Sequence, residues 1–321
     1  MRSIKSVVLV GLVVAAFAGV AAESSGAAVG GPPSWSWQYW SPTWNKAVFD
    51  KRIIKLLPRD TIKKVPFKAA PRLSASQIAL LPIRNMTMVD YAEPVGNQGG
   101  ILSCTSWAVV YGMGGWWANK LHKAGYGGSD WFNPMSVYAP VVGYKNSGSS
   151  NTAMLNYATW NKPPPNGVGM TKASDYSVNE FGYLHQPTLA EKFAAIPFKF
   201  SGWHYLFGSD PDTDNVANRI NKVNAMKNEI DQGRPFVIAI RLYSDFQDAN
   251  WVKNTNVYSR RNGLSDKVIG WHAMFVVGYD ANGIRVQNSW GTGWGDNGYK
   301  TLSWNYVRSD TWDAEAADGL H

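Results

Sequence analysis

From Cys104 onward, apolar residues recur at helical spacing: Trp107, Tyr111, Gly114, Ala118 and Leu121 share one face, and Ser103 stands at the N-cap position. The pattern predicts a helix beginning at Cys104 and stopped by Gly125, Gly127 and Gly128. Inside it, Gly112, Gly114 and Gly115 each cost about 1 kcal/mol relative to alanine, which predicts a neighbouring element packed tightly there. His122, near its end, reads as a favourable charge at the negative pole of the helix dipole. Asn133-Pro134-Met135-Ser136-Val137-Tyr138 predicts a short second helix with Pro134 at its start, and another helix is expected near residues 152–157. Val216, Ile220, Val223, Met226 and Ile230 predict a longer one over residues 215–232, closed by Gly233. The period then changes. Residues 236–240 form an unbroken apolar run, and residues 273–279, 284–287 and 299–304 continue the strand pattern, with Asp280-Ala281-Asn282-Gly283 as a turn. Residues 160–215, broken by Pro163-Pro164-Pro165 and Asp210-Pro211-Asp212, show no regular element and read as a surface insertion. Helices first and antiparallel strands second predict an α+β domain of two subdomains with a cleft between them.

The first 80 residues differ in kind. Arg2 and Lys5 precede an apolar run from Val7 to Val20, then Ala21-Ala22 and Glu23. A charged start, a short apolar stretch and small residues predict a signal peptide over residues 1–22, since the run is short for a membrane span of about 20 residues. The chain is therefore expected to be exported, secreted to an extracellular or periplasmic space, meeting the membrane only in transit. Cys104 is the sole cysteine and permits no intramolecular disulfide, so the fold must hold by its core. Residues 26–44 carry Trp35, Trp37, Trp40 and Trp44 among Gly, Pro and Ser. Packing on the main domain is the plainer reading of these rings, and carbohydrate or peptide binding is the alternative.

Charge sharpens the division. Lys and Arg number 31 against 23 Asp and Glu, and the excess is concentrated in residues 45–72, while the chain from residue 73 onward is balanced. A balanced main domain argues against a nucleic-acid partner. Ala47, Val48, Phe49, Ile53, Ile54, Leu56 and Leu57 give the basic segment a helical apolar face that ends at Pro58. Residues 23–80 are expected to form a Trp-rich and basic leader, with a basic helix on anionic lipid as the rival reading, and the main domain spans residues 81–321.

The chemistry gathers in two stretches. Asn97-Gln98-Gly99-Gly100-Ile101-Leu102-Ser103-Cys104 sets a thiol on the first turn of a helix, where the dipole favours thiolate. The second holds His272 in Trp271-His272-Ala273, then Asn288-Ser289-Trp290-Gly291-Thr292-Gly293-Trp294-Gly295-Asp296-Asn297-Gly298-Tyr299. Together they resemble the papain family of cysteine peptidases, in its bacterial-type branch, over residues 81 to 321. The resemblance implies a papain-like fold with a helical N-terminal half, a β-barrel-like antiparallel C-terminal half and the active-site cleft between them.

It also implies roles. Cys104 would be the nucleophile, and His272 would hold the thiolate as an ion pair and later protonate the leaving amine. Asn288 would orient the imidazole, Trp290 would shield that bond, and Gln98 with the Cys104 N–H would stabilise the oxyanion. Asn146-Ser147-Gly148-Ser149-Ser150 would form the flexible wall of the cleft, with Gly148, Ser149 and Ser150 facing substrate. No cofactor and no metal are expected; the partners are a peptide or protein substrate and an intramolecular inhibitory pro-segment over residues 23–80. The family usually has Trp-Ala directly after the nucleophile, whereas Thr105-Ser106-Trp107-Ala108 follows Cys104. Alignment on Trp107 would put Ser106 at the nucleophile position, and alignment on Gln98 puts Cys104 there. With no second cysteine to bridge, the Gln98 register is preferred. A catalytically inactive homologue that binds peptide or carbohydrate is the alternative function.

Overall fold

A computed structural model describes residues 86–127, 130–160, 162, 165–208, 215–259 and 267–321. The expected signal peptide and the 23–80 leader lie outside the described residues.

The predicted helix is there as a continuous helical run: α1 (Cys104–Ser106), a π-helical stretch (Trp107–Gly114) and α2 (Gly115–Lys120). Every residue from Thr105 to Ala118 is buried, so this central helix is wrapped on all sides. Its glycines mark close approach. A Cβ added at Gly112 would lie 2.8 Å from Cγ of Phe275, and one at Gly114 would lie 2.7 Å from Sδ of Met170. The stop differs from the expectation. His122 itself adopts a left-handed conformation (φ 47°) one residue past the Leu121 cap, so the helix ends before the glycines are reached, and His122 lies beyond its last turn.

Helices α3 (Met135–Val141) and α4 (Asn151–Ala158) complete the helical half. Residues 160–215, expected to be irregular, contain α5 (Leu189–Ala195). They also supply a strand of the sheet. The long helix is α6 (Val216–Asp231), capped by the Asn215 side chain and followed by Gly233 at φ 70°.

Strands β1 (Met86–Thr87), β2 (Trp203–Gly208), β3 (Phe236–Tyr243), β4 (Val257–Tyr258), β5 (Val268–Tyr279), β6 (Gly283–Gln287), β7 (Tyr299–Ser303) and β8 (Thr311–Ala317) form one sheet. Short helices α7 (Ala249–Asn254) and α8 (Trp304–Asp310) sit between strands. The strand order is β2-β8-β3-β5-β6-β7-β4, with β1 paired to β5. This corrects the barrel-like expectation: the sheet is open, and β4 runs parallel to β7 while the other ladders are antiparallel. The α+β class and the papain-like division into a helical part and a sheet part stand.

One face of the sheet carries Phe236, Ile238 and Ile240 of β3 beside Val276, Met274 and His272 of β5. Its opposite face carries Val237, Ala239 and Arg241 beside Phe275, Ala273 and Trp271, because side chains alternate along a strand and paired residues share a side. Phe275 meets Gly112, so this second face is the one that receives the central helix. Asp313 and Glu315 of β8 pair with Ala239 and Val237 and stand on the same face. Glu315 accepts from Asn151 Nδ2 and Thr152 Oγ1, both at 3.2 Å, which ties the start of α4 to the sheet. Burial pushes the Glu315 carboxyl well up, and it pushes Asp313 up to about 7 against the opposing pull of Lys222.

Candidate active site

The two sequence stretches meet because their backbones are laced together. Gln98 N–H donates to Ser289 O at 2.8 Å, Gly291 N–H donates to Gly96 O at 2.9 Å, and Asn97 and Trp290 form an antiparallel bridge. Ser289 Oγ donates to Gln98 Oε1 at 2.6 Å, and Gln98 Nε2 donates to Ile101 O at 2.8 Å. That bond uses one of the two Nε2 hydrogens and leaves the second for another acceptor. The glycine-rich motif after Asn288 has a local reason as well. Gly298 sits at φ 88°, and a Cβ there would lie 2.3 Å from Val95 Cγ1, so only glycine lets its carbonyl receive the Asn288 N–H at 2.9 Å.

Cys104 begins the central helix, half-buried. Ser103 occupies the N-cap position as expected, yet its side chain makes no capping bond. Burial pushes the Cys104 thiol up, opposed by the backbone N–H groups of Ala273, Thr105 and Cys104 itself. The Ala273 N–H belongs to the residue after His272, so the sulfur lies against β5 beside the imidazole-bearing position. Ser106 is fully buried and its hydroxyl donates to Pro134 O at 2.6 Å, which fixes it in a structural bond.

His272 and Asn288 are brought into direct contact, His272 Nε2 donating to Asn288 Oδ1 at 2.7 Å. Asn288 Oδ1 also accepts the Ser289 N–H at 2.8 Å. Because Nε2 is the donor, Nδ1 is the basic nitrogen of the neutral ring. Burial pulls His272 down to about 4, with the Asn288 bond opposing. Trp290 lies 4.5 Å from the His272 ring at 30°, and Phe246 closes the far side, 5.7 Å from Trp290 and 5.0 Å from Trp294. The His272–Asn288 bond is thus enclosed in aromatic rings. Phe246 carries no sequence signal for this duty: it sits in an isolated turn and is recruited by packing alone.

The electrostatics differ from the expected ion pair. A raised thiol and a lowered imidazole both favour the neutral pair in the resting site, because a dry pocket penalises each charge. The cleft wall differs too. Asn146 Oδ1 accepts the Leu102 N–H at 2.8 Å and Asn146 Nδ2 donates to Gly100 O at 3.2 Å, while Tyr138 OH donates to Ser147 O at 2.8 Å. The wall is therefore pinned to the loop before Cys104. Gly148 is half-buried, Ser149 is buried, and Ser150 is buried with its hydroxyl capping α4 at Ala153 N–H.

Residues 199–313 match the model of the papain family of cysteine proteases, a span that includes His272, Asn288 and Trp290. Papain of Carica papaya is 64% identical over 28 residues, which is 9% of this chain and 8% of papain's own length. Xylellain, a cysteine protease from Xylella fastidiosa, superimposes with a TM-score of 0.60 at 18% identity, covering 79% of this chain and 92% of its own. Digestive procathepsin L2 proteinase from the Tenebrio molitor larval midgut gives 0.57 at 20% identity, covering 87% and 80%. At those identities the likeness to both structures is one of fold.

Proposed function

We propose that this chain, papain-like in fold and matched to the papain family over residues 199–313, is an exported cysteine peptidase that works through Cys104, His272, Asn288 and Gln98. The observation that carries the reading is the convergence at one point of β5. The Cys104 sulfur lies against the Ala273 N–H, one residue from an imidazole whose Nε2 is held by Asn288 at 2.7 Å. With Nε2 occupied, Nδ1 takes the thiol proton as sulfur attacks the scissile carbonyl, so charge develops only in the transition state. The second Nε2 hydrogen of Gln98 and the Cys104 N–H receive the carbonyl oxygen as it becomes negative; losing one such donor costs about 2.7–4 kcal/mol of barrier in comparable enzymes. His272 then returns the proton to the departing amine, which breaks the C–N bond and leaves an acyl-enzyme for water to hydrolyse. Trp290 keeps water from the His272–Asn288 bond.

The substrate class is peptide or protein. Export rests on the signal-like residues 1–22, and latency on the basic, apolar-faced residues 45–72, which would cover the cleft until a cut between Lys68 and Leu81 releases the peptidase. A procathepsin among the fold relatives supports a pro-segment of this kind.

The test is a peptide-library assay on protein trimmed to begin near Leu81, with labelling by an epoxysuccinyl inhibitor alongside. Cleavage and stoichiometric labelling, both lost in Cys104→Ala, are expected. Peptide binding without cleavage or labelling would make the chain an inactive homologue and overturn the enzymatic reading.

A further inference from the structure

The aim of the Gln98 side chain depends on a turn that closes itself weakly. Gln98 Nε2 donates to Ile101 O at 2.8 Å, so the direction of the remaining Nε2 hydrogen follows wherever residues 98–101 set that carbonyl. The turn's own backbone bond, from Ile101 N–H to Gln98 O, is 3.3 Å, beyond the usual range for N–H···O. Gly99 stands at φ 56°, in the left-handed region, and its N–H donates to Asn97 Oδ1 at 3.0 Å. Asn146 supplies one outside grip, donating to Gly100 O at 3.2 Å and accepting the Leu102 N–H at 2.8 Å.

A second grip comes from the stretch that reads in sequence as a surface insertion. A Cβ added at Gly99 would lie 2.9 Å from Cε1 of Phe181, so the Phe181 ring fills the place where another residue would put its side chain. Phe181 is half-buried and packs against the core. It is carried by a loop over residues 177–188 whose two ends meet at one buried carboxylate. Glu191 Oε1 accepts from the N–H and the hydroxyl of Ser177, both at 2.7 Å. Its Oε2 accepts from the Thr188 N–H at 2.7 Å and the Thr188 hydroxyl at 3.0 Å, with His185 Nε2 at 2.8 Å. Within the loop, Val178 O accepts from Nδ2 of buried Asn133 at 2.7 Å. Asn179 shapes the tip, its Oδ1 taking the Phe181 N–H and its carbonyl the Gly182 N–H, each at 3.1 Å. Loops closed at the neck in this way are compact and frequently functional. This one is a braced arm, and the ring at its tip rests on the residue next to Gln98.

We infer that Phe181 is a positioning residue for the Gln98 side chain, acting through the turn over residues 98–101. The inference rests on the peptidase reading above. Glycine visits both signs of φ with similar ease, so Gly99-Gly100 does not choose its own conformation and needs packing from outside to hold one. Asn146 holds the turn by hydrogen bonds, and Phe181 bars it from rolling into the space the ring occupies. Without the ring, Ile101 O drifts and the Gln98 amide drifts with it. Ser289 Oγ, donating to Gln98 Oε1 at 2.6 Å, keeps the side chain in the site, so what is lost is aim and not presence. An oxyanion donor matters most in the transition state, so the loss falls on kcat.

The test is steady-state kinetics with one peptide substrate, on protein made as the full chain and cut between Lys68 and Leu81. Phe181→Ala is expected to lower kcat about tenfold with KM nearly unchanged, and Phe181→Tyr to restore it. Asn179→Ala, which loosens the tip but keeps the ring, should lower kcat in the same direction by less, and it serves if Phe181→Ala does not fold. The deciding measurement is the double variant. Gln98→Ala alone should lower kcat about a hundredfold, and adding Phe181→Ala to it should change kcat no further, because the group being aimed is gone. An unchanged kcat in Phe181→Ala, an effect confined to KM, or a full further loss on the Gln98→Ala background would overturn the positioning role and leave the peptidase reading standing. A parent protein that neither cleaves peptide nor takes the epoxysuccinyl label would overturn both.

Discussion

Gly112→Ala sets two known effects against each other inside the site. Removing a glycine from a helix interior is worth about 1 kcal/mol in helix propensity, which favours the variant. Against this, the new methyl would stand 2.8 Å from Cγ and 2.9 Å from Cβ of Phe275. Cβ is fixed by the backbone, and a side chain only 1% exposed has little room to swing Cγ away. Carbon atoms settle at about 3.5–4.0 Å, so helix and strand must separate by roughly 0.7 Å at that level. Overpacking of this kind costs about 1–3 kcal/mol. The net expectation is destabilisation by about 1 kcal/mol, read as a lower midpoint in urea with an unchanged m-value. The effect on turnover is expected to be larger than the effect on stability. The helix carries Cys104 and the strand carries His272, and on the peptidase reading a misplacement of about 1 Å between them can cost around a hundredfold in rate. Phe275→Ala, which removes Cγ, should cost less stability in the Gly112→Ala background than in the parent, a coupling that a double-mutant cycle reads directly. A Gly112→Ala protein as stable and as active as its parent would refute the claim that this contact sets the spacing between nucleophile and base.

Ser106→Ala should lower stability by about 1 kcal/mol through the lost hydrogen bond to Pro134 O while retaining most peptide cleavage, and a dead Ser106→Ala with an active Cys104→Ala would reverse the register of the nucleophile. Asn288→Ala leaves the His272 Nε2–H buried without an acceptor and frees the tautomer, so kcat should drop about tenfold to a hundredfold with KM little changed; steady-state kinetics with an unchanged kcat would remove Asn288 from the site. The acid limb of kcat/KM should lie near pH 4, where His272 takes a proton and ceases to be a base, and a limb near 6.5 would mean that the ring is not buried as described. Asp313, held near 7, keeps a proton in the folded state that the unfolded chain releases near its ordinary 3.8, so stability should decline as pH rises from about 4 to about 7 and level off above; thermal melts of Asp313→Asn should show a shallower decline.

The sequence showed the long periodic elements and the polar residues of the site more readily than the sheet's edges. The central helix, α6 and the β3 and β5 runs are legible because their burial is dictated by their own side chains. Strand β8 was hidden because its inward positions include Asp313 and Glu315, which read as solvent-facing until Asn151 and Thr152 supply the donors for Glu315. Helix α5 lies in the stretch read as irregular, and it presents Leu189 and Phe193 outward, at 69% and 60% exposure, so its apolar spacing does not mark a core face. Its readable signal was the capping box of Thr188 and Glu191. The openness of the sheet could not be foreseen, since closure depends on whether β2 and β4 meet, and neither carries a motif for it. In the site, Gln98, Cys104, His272 and Asn288 are motif residues. Asn146 and Phe246 act through positions that only the assembled backbone gives them.

The bonds between residues 96–98 and 289–291 have a mechanical consequence. They fasten Gln98, the proposed oxyanion donor, to the sheet half, although in sequence it belongs with the helix, while Cys104 rides on the helix itself. Residues 99–103 join Gln98 to Cys104 across the seam, so the proposed nucleophile and the proposed side-chain oxyanion donor ride on separate rafts joined by a five-residue tether. A force that parts the two halves will detune the transition state before it silences the sulfur. Under mild denaturant, peptide turnover would then fade while a small alkylating reagent still finds Cys104 reactive, and the interval between the two losses would gauge how far the seam has opened.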